Sequence, residues 1–532
     1  MVLVLLAVAH ARAFRAGLVW LDHAHLENGA ALRPPSGWHE LFLEGFAGTG
    51  YYRPLVAVSL SLDALVGSGA PWVYHATTLA FHALATLLLA AFGRALGLAR
   101  GANLLIASIF AVHPATAPVA QLIAFRSEAM TLCGLLLMLL GHRRRRLGLA
   151  LVGLVLAALS KETGFVLTPL LISVHELDAA RRTTSPEAPA TGVTRSHMLL
   201  GETGVWLALL ALRLSVAVPW RGEAPALGLA EGVTTRLAAL GKTLRLLALV
   251  APDTSVCDDF PVVGLGAPDA WLGGAAVLGL SLLALRRGGV FACLALSLLP
   301  ALQLVPVPRF WSAHYAYLPL AFFCLALGSS IPKWLGRARL ALTTRSPSES
   351  TLTRLALILP LALAFWTAGV GRRFVSDSLL WSAEIDRHPA CREAHFYLGE
   401  VARRRRDFPA AERAYRAALT PTPGVLAYVD RRAAHANLGT VLLELRRAPE
   451  ARAQFAQALE FPSNEIERRQ LRYDFALAAL YSGDAPTTIT ALAEELERPD
   501  PLPAAQRLDA AARQVLAEDA ARAPPRRAGP TR

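Results

Sequence analysis

The feature that most constrains this chain is a join between two helical patterns. About ten apolar segments, each near the length that can cross a bilayer, fill the first 370 residues, and an amphipathic repeat follows them. In that second part Leu398-Gly399, Ala411, Tyr415, Ala418 and Pro423 mark one unit, and Leu438-Gly439, Ala451, Phe455 and Ala458 recur with the same internal offsets. Small residues at this spacing let the two helices of a hairpin touch, and large ones fill the space between neighbouring hairpins. The implied fold class is all-α: a polytopic membrane helix bundle of about eleven spans, then an α-solenoid.

The offsets are those of tetratricopeptide (TPR) units, which repeat about every 34 residues. Two full units are expected, with a half-repeat around Trp381 and a degenerate third around Phe475 to Tyr481. In that third unit Thr488 and Glu495 stand where Ala411 and Ala418 stand in the first. The expected organisation is a membrane domain over 1–370, the repeat module over 371–497, and a basic helical and disordered tail over 498–532. Charged residues make up only 17% of the chain and mean hydropathy is +0.40, where soluble proteins carry about 25% charge. Much of the chain is therefore expected in lipid. The net charge of +13 does not imply nucleic acid. Arginines cluster beside apolar segments, as in His142 followed by Arg143 to Arg146, where they set membrane orientation, and no basic face with interleaved aromatics occurs. The cysteines lack the CxxC spacing of a zinc site.

Clear spans are expected near 72–93, 102–122, 198–219, 290–306, 315–331 and 354–370, with shorter ones at 128–141, 148–160, 163–176 and 271–285. The opening run, Met1 to Ala9, reads as a truncated first helix. Charges follow it rather than precede it, unlike a signal peptide. Placing Arg94 and Arg100, Arg143 to Arg146, Arg181-Arg182, Arg286-Arg287 and Lys333 to Arg345 on the cytoplasmic side satisfies the positive-inside rule with eleven crossings. This requires 236–250, with Lys242 and Arg245, to lie at the interface. Segments 183–197 and 340–353 read as polar cytoplasmic loops. The repeats then fall outside the cytoplasm.

The outer loops hold the unusual polar residues. Asp22 follows the first helix and could deprotonate an acceptor hydroxyl, or be a solvated loop acid. Arg53, in Tyr51-Tyr52-Arg53-Pro54, suits phosphate or an interfacial anchor. His113-Pro114 breaks an apolar helix. Arg126 and Glu128 sit on a short turn and could bind a ligand or neutralise each other. Lys161-Glu162 interrupts a long apolar stretch and implies a polar cavity. Asp258-Asp259 could hold a metal, though adjacent acids are common. No P-loop, GxSxG, HExxH or Rossmann pattern occurs.

These segments together resemble the GT-C superfamily of lipid-dependent glycosyltransferases, and within it the transmembrane-and-TPR-containing protein O-mannosyltransferases and their bacterial relatives, over almost the full length. The family's first-loop W-D-D with a following Asn stands here as Trp20-Leu21-Asp22 with Asn28. Tyr52-Arg53-Pro54-Leu55, with Ser59 and Leu62-Asp63, is similar to its YRPL segment. His75 and Phe81-His82-Ala83-Leu84 resemble its next helix. His113-Pro114 with Arg126 and Glu128 resembles its HP loop, Ser160-Lys161-Glu162 its SKE motif, and Tyr315-Ala316-Tyr317-Leu318-Pro319 its YLYLP. Leu380-Trp381 with Pro389 resembles the half-repeat leading into the TPRs. Three acidic positions depart: Leu21 replaces the first acid, Ala117 or Pro118 stands where a Glu follows HP, and Ala313-His314 replaces an acid–Arg pair.

The resemblance implies a transferase that takes a sugar from a polyprenyl-phosphate donor to a protein or glycan hydroxyl on the outer face. Asp22 would be the base, Arg53, Arg126 and Lys161 would hold the donor phosphate, and Glu128, Glu162, His113, His314 and Tyr315 would support them. It implies an integral membrane protein of the bacterial inner membrane with periplasmic repeats, or of the endoplasmic reticulum with lumenal ones. The acceptor would reach the TPR groove. No resident cofactor is expected, and a divalent metal is left open. A catalytically degenerate TPR scaffold is the alternative, favoured by the lost acids. A transporter would show repeated span patterns, which are not evident.

Overall fold

The computed structural model describes residues 1–27, 32–48, 50–182, 193–216, 227–257, 259–304, 309–341 and 349–522, with backbone alone at 48, over 331–341 and 349–357, and at 520. The chain divides into two compact units, Met1–Ala383 and Glu384–Arg532. Apart from two three-residue strands, Asp259–Pro261 and Val425–Ala427, the regular structure is helical.

In the first unit each expected apolar segment contains a helix, and the count of eleven crossings is not confirmed. Among the described residues five helices are long and apolar enough to cross a membrane: Pro71–Ala95, Ile123–Arg143, Arg195–Ser215, Pro268–Arg287 and Ile358–Val375. A sixth is reached if Arg100–Val112 and Pro114–Gln121, bent by 50°, form one span. Length accounts for part of the difference. Val2–His10 and Gly289–Ser297 have nine residues each and Leu147–Ser160 has fourteen, whereas a bilayer core of about 30 Å needs roughly 20 residues at 1.5 Å each.

The spans are not equivalent. The best apolar window of Ile123–Arg143 is 94% buried, against 11% for Arg195–Ser215 and Pro268–Arg287. The first is therefore a central post. The other two present Leu200, Leu214, Trp271, Leu278 and Leu285 outward, as lipid-facing helices do. The post packs on Leu147–Ser160 backbone to backbone. A Cβ on Gly134 would lie 2.3 Å from the Ala157 nitrogen, and one on Gly153 2.3 Å from the Met138 nitrogen, an approach that only small residues permit.

The bend at His113-Pro114 frees two carbonyls. The Ala115 and Thr116 amides turn back to His113 Nδ1 and the His113 carbonyl, so Ala111 and Val112 lose their helical partners. The Ala111 carbonyl faces the ring nitrogens of His10 and His82, at 3.2 and 3.1 Å, and the Val112 carbonyl accepts the Thr367 hydroxyl at 2.6 Å. Buried apolar surroundings demand such replacement partners.

The second unit contains three helical hairpins in succession, Arg392–Arg404 with Phe408–Leu419, Arg431–Glu444 with Ala448–Leu459, and Glu465–Tyr481 with Ala485–Leu496, then Pro503–Arg522. Asp407, Asp430, Asn464 and Asp484 cap helix starts by accepting backbone N–H bonds, each cap contributing about 1 kcal/mol. A Cβ on Gly399 would lie 2.7 Å from the Tyr415 ring, and one on Gly439 2.8 Å from the Phe455 ring. In the third hairpin the buried Thr488 hydroxyl donates to the Ala476 carbonyl. Gly439→Val should overpack the second hairpin and destabilise it by about 1–3 kcal/mol. Hydrogen exchange on the whole protein checks this, as Arg431–Leu459 should lose protection. Unchanged protection would mean that the helices are not in glycine-to-ring contact.

Candidate functional site

The candidate residues lie in three networks within the first unit. The first surrounds Asp22. Trp20 takes a positive φ of 61°, which turns the chain so that its buried ring packs edge-on against Phe125 and Trp381. Its amide donates to Asp377 Oδ1 at 2.7 Å. Asp22 is wholly buried. Its Oδ1 accepts the Ala124 amide at 2.7 Å and its Oδ2 the Val19 amide at 3.2 Å, so the carboxyl clasps the first loop to the turn before Arg126. Burial pushes this carboxyl up to about 7, against the pull of the two amides, so both protonation states are populated near neutrality. His23 bridges Glu27 and Asp377 at 2.8 and 2.7 Å.

The second network is built on the break Ser160-Lys161-Glu162. Lys161 is extended, with φ −162° and ψ 149°, and successive side chains on extended backbone point to opposite sides. Lys161 and Glu162 accordingly take partners from different elements. Glu162 Oε2 accepts from Arg53 Nε at 3.1 Å and Nη2 at 2.9 Å, and Oε1 accepts the Tyr52 amide at 2.9 Å. Lys161 Nζ pairs with Glu128. The Arg53 guanidinium lies 4.1 Å from the centre of the Tyr51 ring, and Lys161 Nζ 5.9 Å from that of Tyr315. Beside Arg53 is a cavity of about 10 Å³, bounded in part by Leu41, Phe46 and Ala57, room for one water.

His314 and Tyr315 join this network. The His314 ring stacks on Phe125 at 3.9 Å, its Nδ1 lies 2.7 Å from Ser312 Oγ, and the Tyr315 hydroxyl donates to the Arg309 carbonyl at 3.2 Å. Burial, then the charges of Lys161, Arg309 and Arg53, hold the His314 imidazole well below its ordinary value. Burial, then Arg53 and Arg309, push His25 down to about 3. Two neutral imidazoles thus sit in the field of the same two cations, Arg53 and Arg309, and His314 feels Lys161 as well. A cluster of this kind can take up an oxyanion such as a phosphate. Arg309 and His25 are absent from the sequence-derived set. The signal for Arg309 lies five residues before the Ala313-His314 position where the resemblance implies an Arg.

The third network holds Arg126 apart. Its side chain is fully buried, pairs with Asp63 Oδ2 at 2.6 Å, and donates to Ser59 Oγ at 2.8 Å, Thr78 Oγ1 at 3.1 Å and the Tyr74 carbonyl at 2.7 Å. Asp63 Oδ1 also accepts the Thr77 hydroxyl at 2.7 Å. The guanidinium is committed to protein groups, and its carboxylate partner is Asp63 rather than Glu128. His113 uses Nδ1 as a helix cap. Asn28 and Asp258 lie outside the described residues, and Asp259 begins a short strand.

No family model matches the chain. It is similar to a protein named Protein O-mannosyl-transferase Tmtc1 of Drosophila melanogaster, with 34% identity over 184 residues, which covers 31% of this chain and 21% of that protein. The chain thus matches about a fifth of the length of the curated relative. The long apolar helices suggest a membrane protein.

Proposed function

We propose that the chain is an integral-membrane glycosyltransferase that moves a sugar from a polyprenyl-phosphate donor to a protein or glycan hydroxyl on the outer face. The observation that carries this reading is that Arg53 and Arg309 act on both His25 and His314, with Lys161 acting on His314 as well. Arg53 and Lys161 each hold one carboxylate, Glu162 and Glu128, and a phosphate entering beside them would meet both cations at once. As the bond from sugar carbon to phosphate oxygen breaks, negative charge builds on that oxygen, where the cations stabilise it. The acceptor oxygen bonds to the sugar carbon and its proton passes to Asp22. Reaching Asp22 requires the Trp20–Glu27 segment to release the Ala124 amide. Arg126 acts at a distance, fixing the post that carries Glu128. The glycine-to-ring hairpins of the second unit serve as TPR units that present the acceptor, outside the cytoplasm.

A second reading, a non-catalytic membrane-anchored TPR scaffold, is favoured by one observation: both Asp22 oxygens are occupied by backbone amides, and Leu21 offers no second acid. Transfer of labelled sugar from a polyprenyl-phosphate lipid to membrane proteins separates the two. The transferase reading expects turnover by the wild type and about a tenfold rise in donor KM for Arg53→Gln or Lys161→Gln, the loss of one charge-assisted phosphate contact. No transfer by folded wild type across polyprenyl-phosphate mannose and glucose donors would support the scaffold.

A further inference from the structure

A separate polar cluster lies at the opposite end of the Arg126–Arg143 post. His142 is sixteen residues beyond Arg126, about 24 Å along the helix. His175 and Glu176 come from Glu162–Arg182, and Arg195 and Glu202 from Arg195–Ser215. One ligand atom from each of His142, His175 and Glu176 lies within 4.8 Å of the other two, and the two imidazole rings meet edge-on at 4.9 Å.

The surroundings match what a metal needs beyond its direct ligands. A histidine that ligates through one nitrogen commonly donates its other N–H to a carboxylate, which fixes the ring. Here His142 Nδ1 lies 2.8 and 2.9 Å from the two oxygens of the buried Glu202, while Nε2 points at Glu176 Oε1, 2.7 Å away. Arg195 pairs with the other Glu176 oxygen. Both nitrogens of His175 are buried, and neither has a hydrogen-bond partner among the described residues. Such a state is costly, and ligation would relieve it at one nitrogen. The three groups line a cavity of about 300 Å³ together with Arg143, Arg145, Ala179, Arg195 and Met198, which leaves room for a fourth, solvent-derived or anionic ligand. Arg143 and Arg195 are exposed, so solvent screens their repulsion of a cation.

We propose that His142, His175 and Glu176 form a three-ligand site for a divalent transition ion of the zinc class, with Glu202 as the carboxylate that orients His142. Mixed imidazole and carboxylate donors suit zinc rather than magnesium or calcium. Both His142 nitrogens face carboxylates. Binding frees the Nε2 lone pair for the ion and releases one proton, so affinity rises with pH.

The test uses full-length, untagged protein in detergent, stripped with chelator and titrated with Zn²⁺. One Zn²⁺ per chain should bind, proton release should accompany it, and Co²⁺ should give the visible absorption of a four-coordinate ion. His175→Ala should lose at least about tenfold in affinity, and Glu202→Gln about 10–100-fold. In zinc-free buffer His175→Ala should still fold and melt cooperatively, because it loses ring packing against His142 but no hydrogen bond. Failure of the wild type to bind stoichiometrically, or equal binding by His175→Ala, overturns the site. If His175→Ala does not fold, the Glu202→Gln affinity decides in the same sense.

Discussion

Arg126→Met should cost the folded protein about 3–5 kcal/mol, because it strands the Asp63 carboxylate inside the protein without its counter-ion. Asp63 keeps the Thr77 hydroxyl, the Ser59 and Thr78 hydroxyls lose the Arg126 donor, and the Tyr74 carbonyl is left with the Thr78 hydroxyl. The thermal midpoint of the detergent-solubilised protein should fall sharply. Adding Asp63→Leu removes the orphaned charge and should recover most of the loss, since apolar replacement of a whole buried pair is often neutral or stabilising. A single variant that melts with the wild type would mean that the pair is not buried. This outcome bears on function as well, because a phosphate-binding Arg126 would lower turnover without this loss of stability.

Asp22→Asn should lower turnover by about 10²-fold or more if Asp22 is the base, since the amide keeps the shape and cannot take a proton. The pH profile gives a second readout. With the folded carboxyl at about 7, kcat/KM of the wild type should rise about tenfold per pH unit below 7 and level off above it. Stability moves the other way. The folded value lies above the ordinary 3.8, so the contribution of Asp22 to folding is complete below 3.8 and is lost as pH rises through about 7. The Asn variant should lose the activity limb and this part of the stability slope together. Near-full activity in Asp22→Asn would move the search to Glu27, Glu128 or Glu162.

Much of the architecture was legible because apolar runs and repeat offsets are local signals. Gly399 with Tyr415 and Gly439 with Phe455 could be paired on paper, since one offset serves both hairpins. Crossing number was less legible. Apolar character marks a helix, but whether it spans depends on where it stops, and Leu147–Ser160 stops after fourteen residues. The charged pairs were legible only as an inventory. Arg126 and Glu128 look like partners in sequence, yet residues two apart on a helix point away from each other, and each found its counter-ion elsewhere, in Asp63 and Lys161. Arg309 was missed because its contribution depends on how the segment leading to Tyr315 lies over Trp20 and His25, which no spacing encodes.

The short helices also set a depth. On the proposed topology Arg100–Val112 and Leu147–Ser160 both run outward and end after thirteen and fourteen residues. Each reaches only about 20 Å through an apolar layer about 30 Å thick. His113 and Lys161 therefore sit roughly 10 Å beneath the outer hydrocarbon boundary. His113 is buried and Lys161 is paired with Glu128, so the protein itself shelters them at that depth. A leaflet thinned around the short helices would bring the phosphate of a long-chain lipid down towards Lys161 without lifting its tail from the membrane. Under the proposed transferase reading, acyl-chain length of the host lipid would then be a control on donor capture, exerted by the membrane rather than by any residue of the chain.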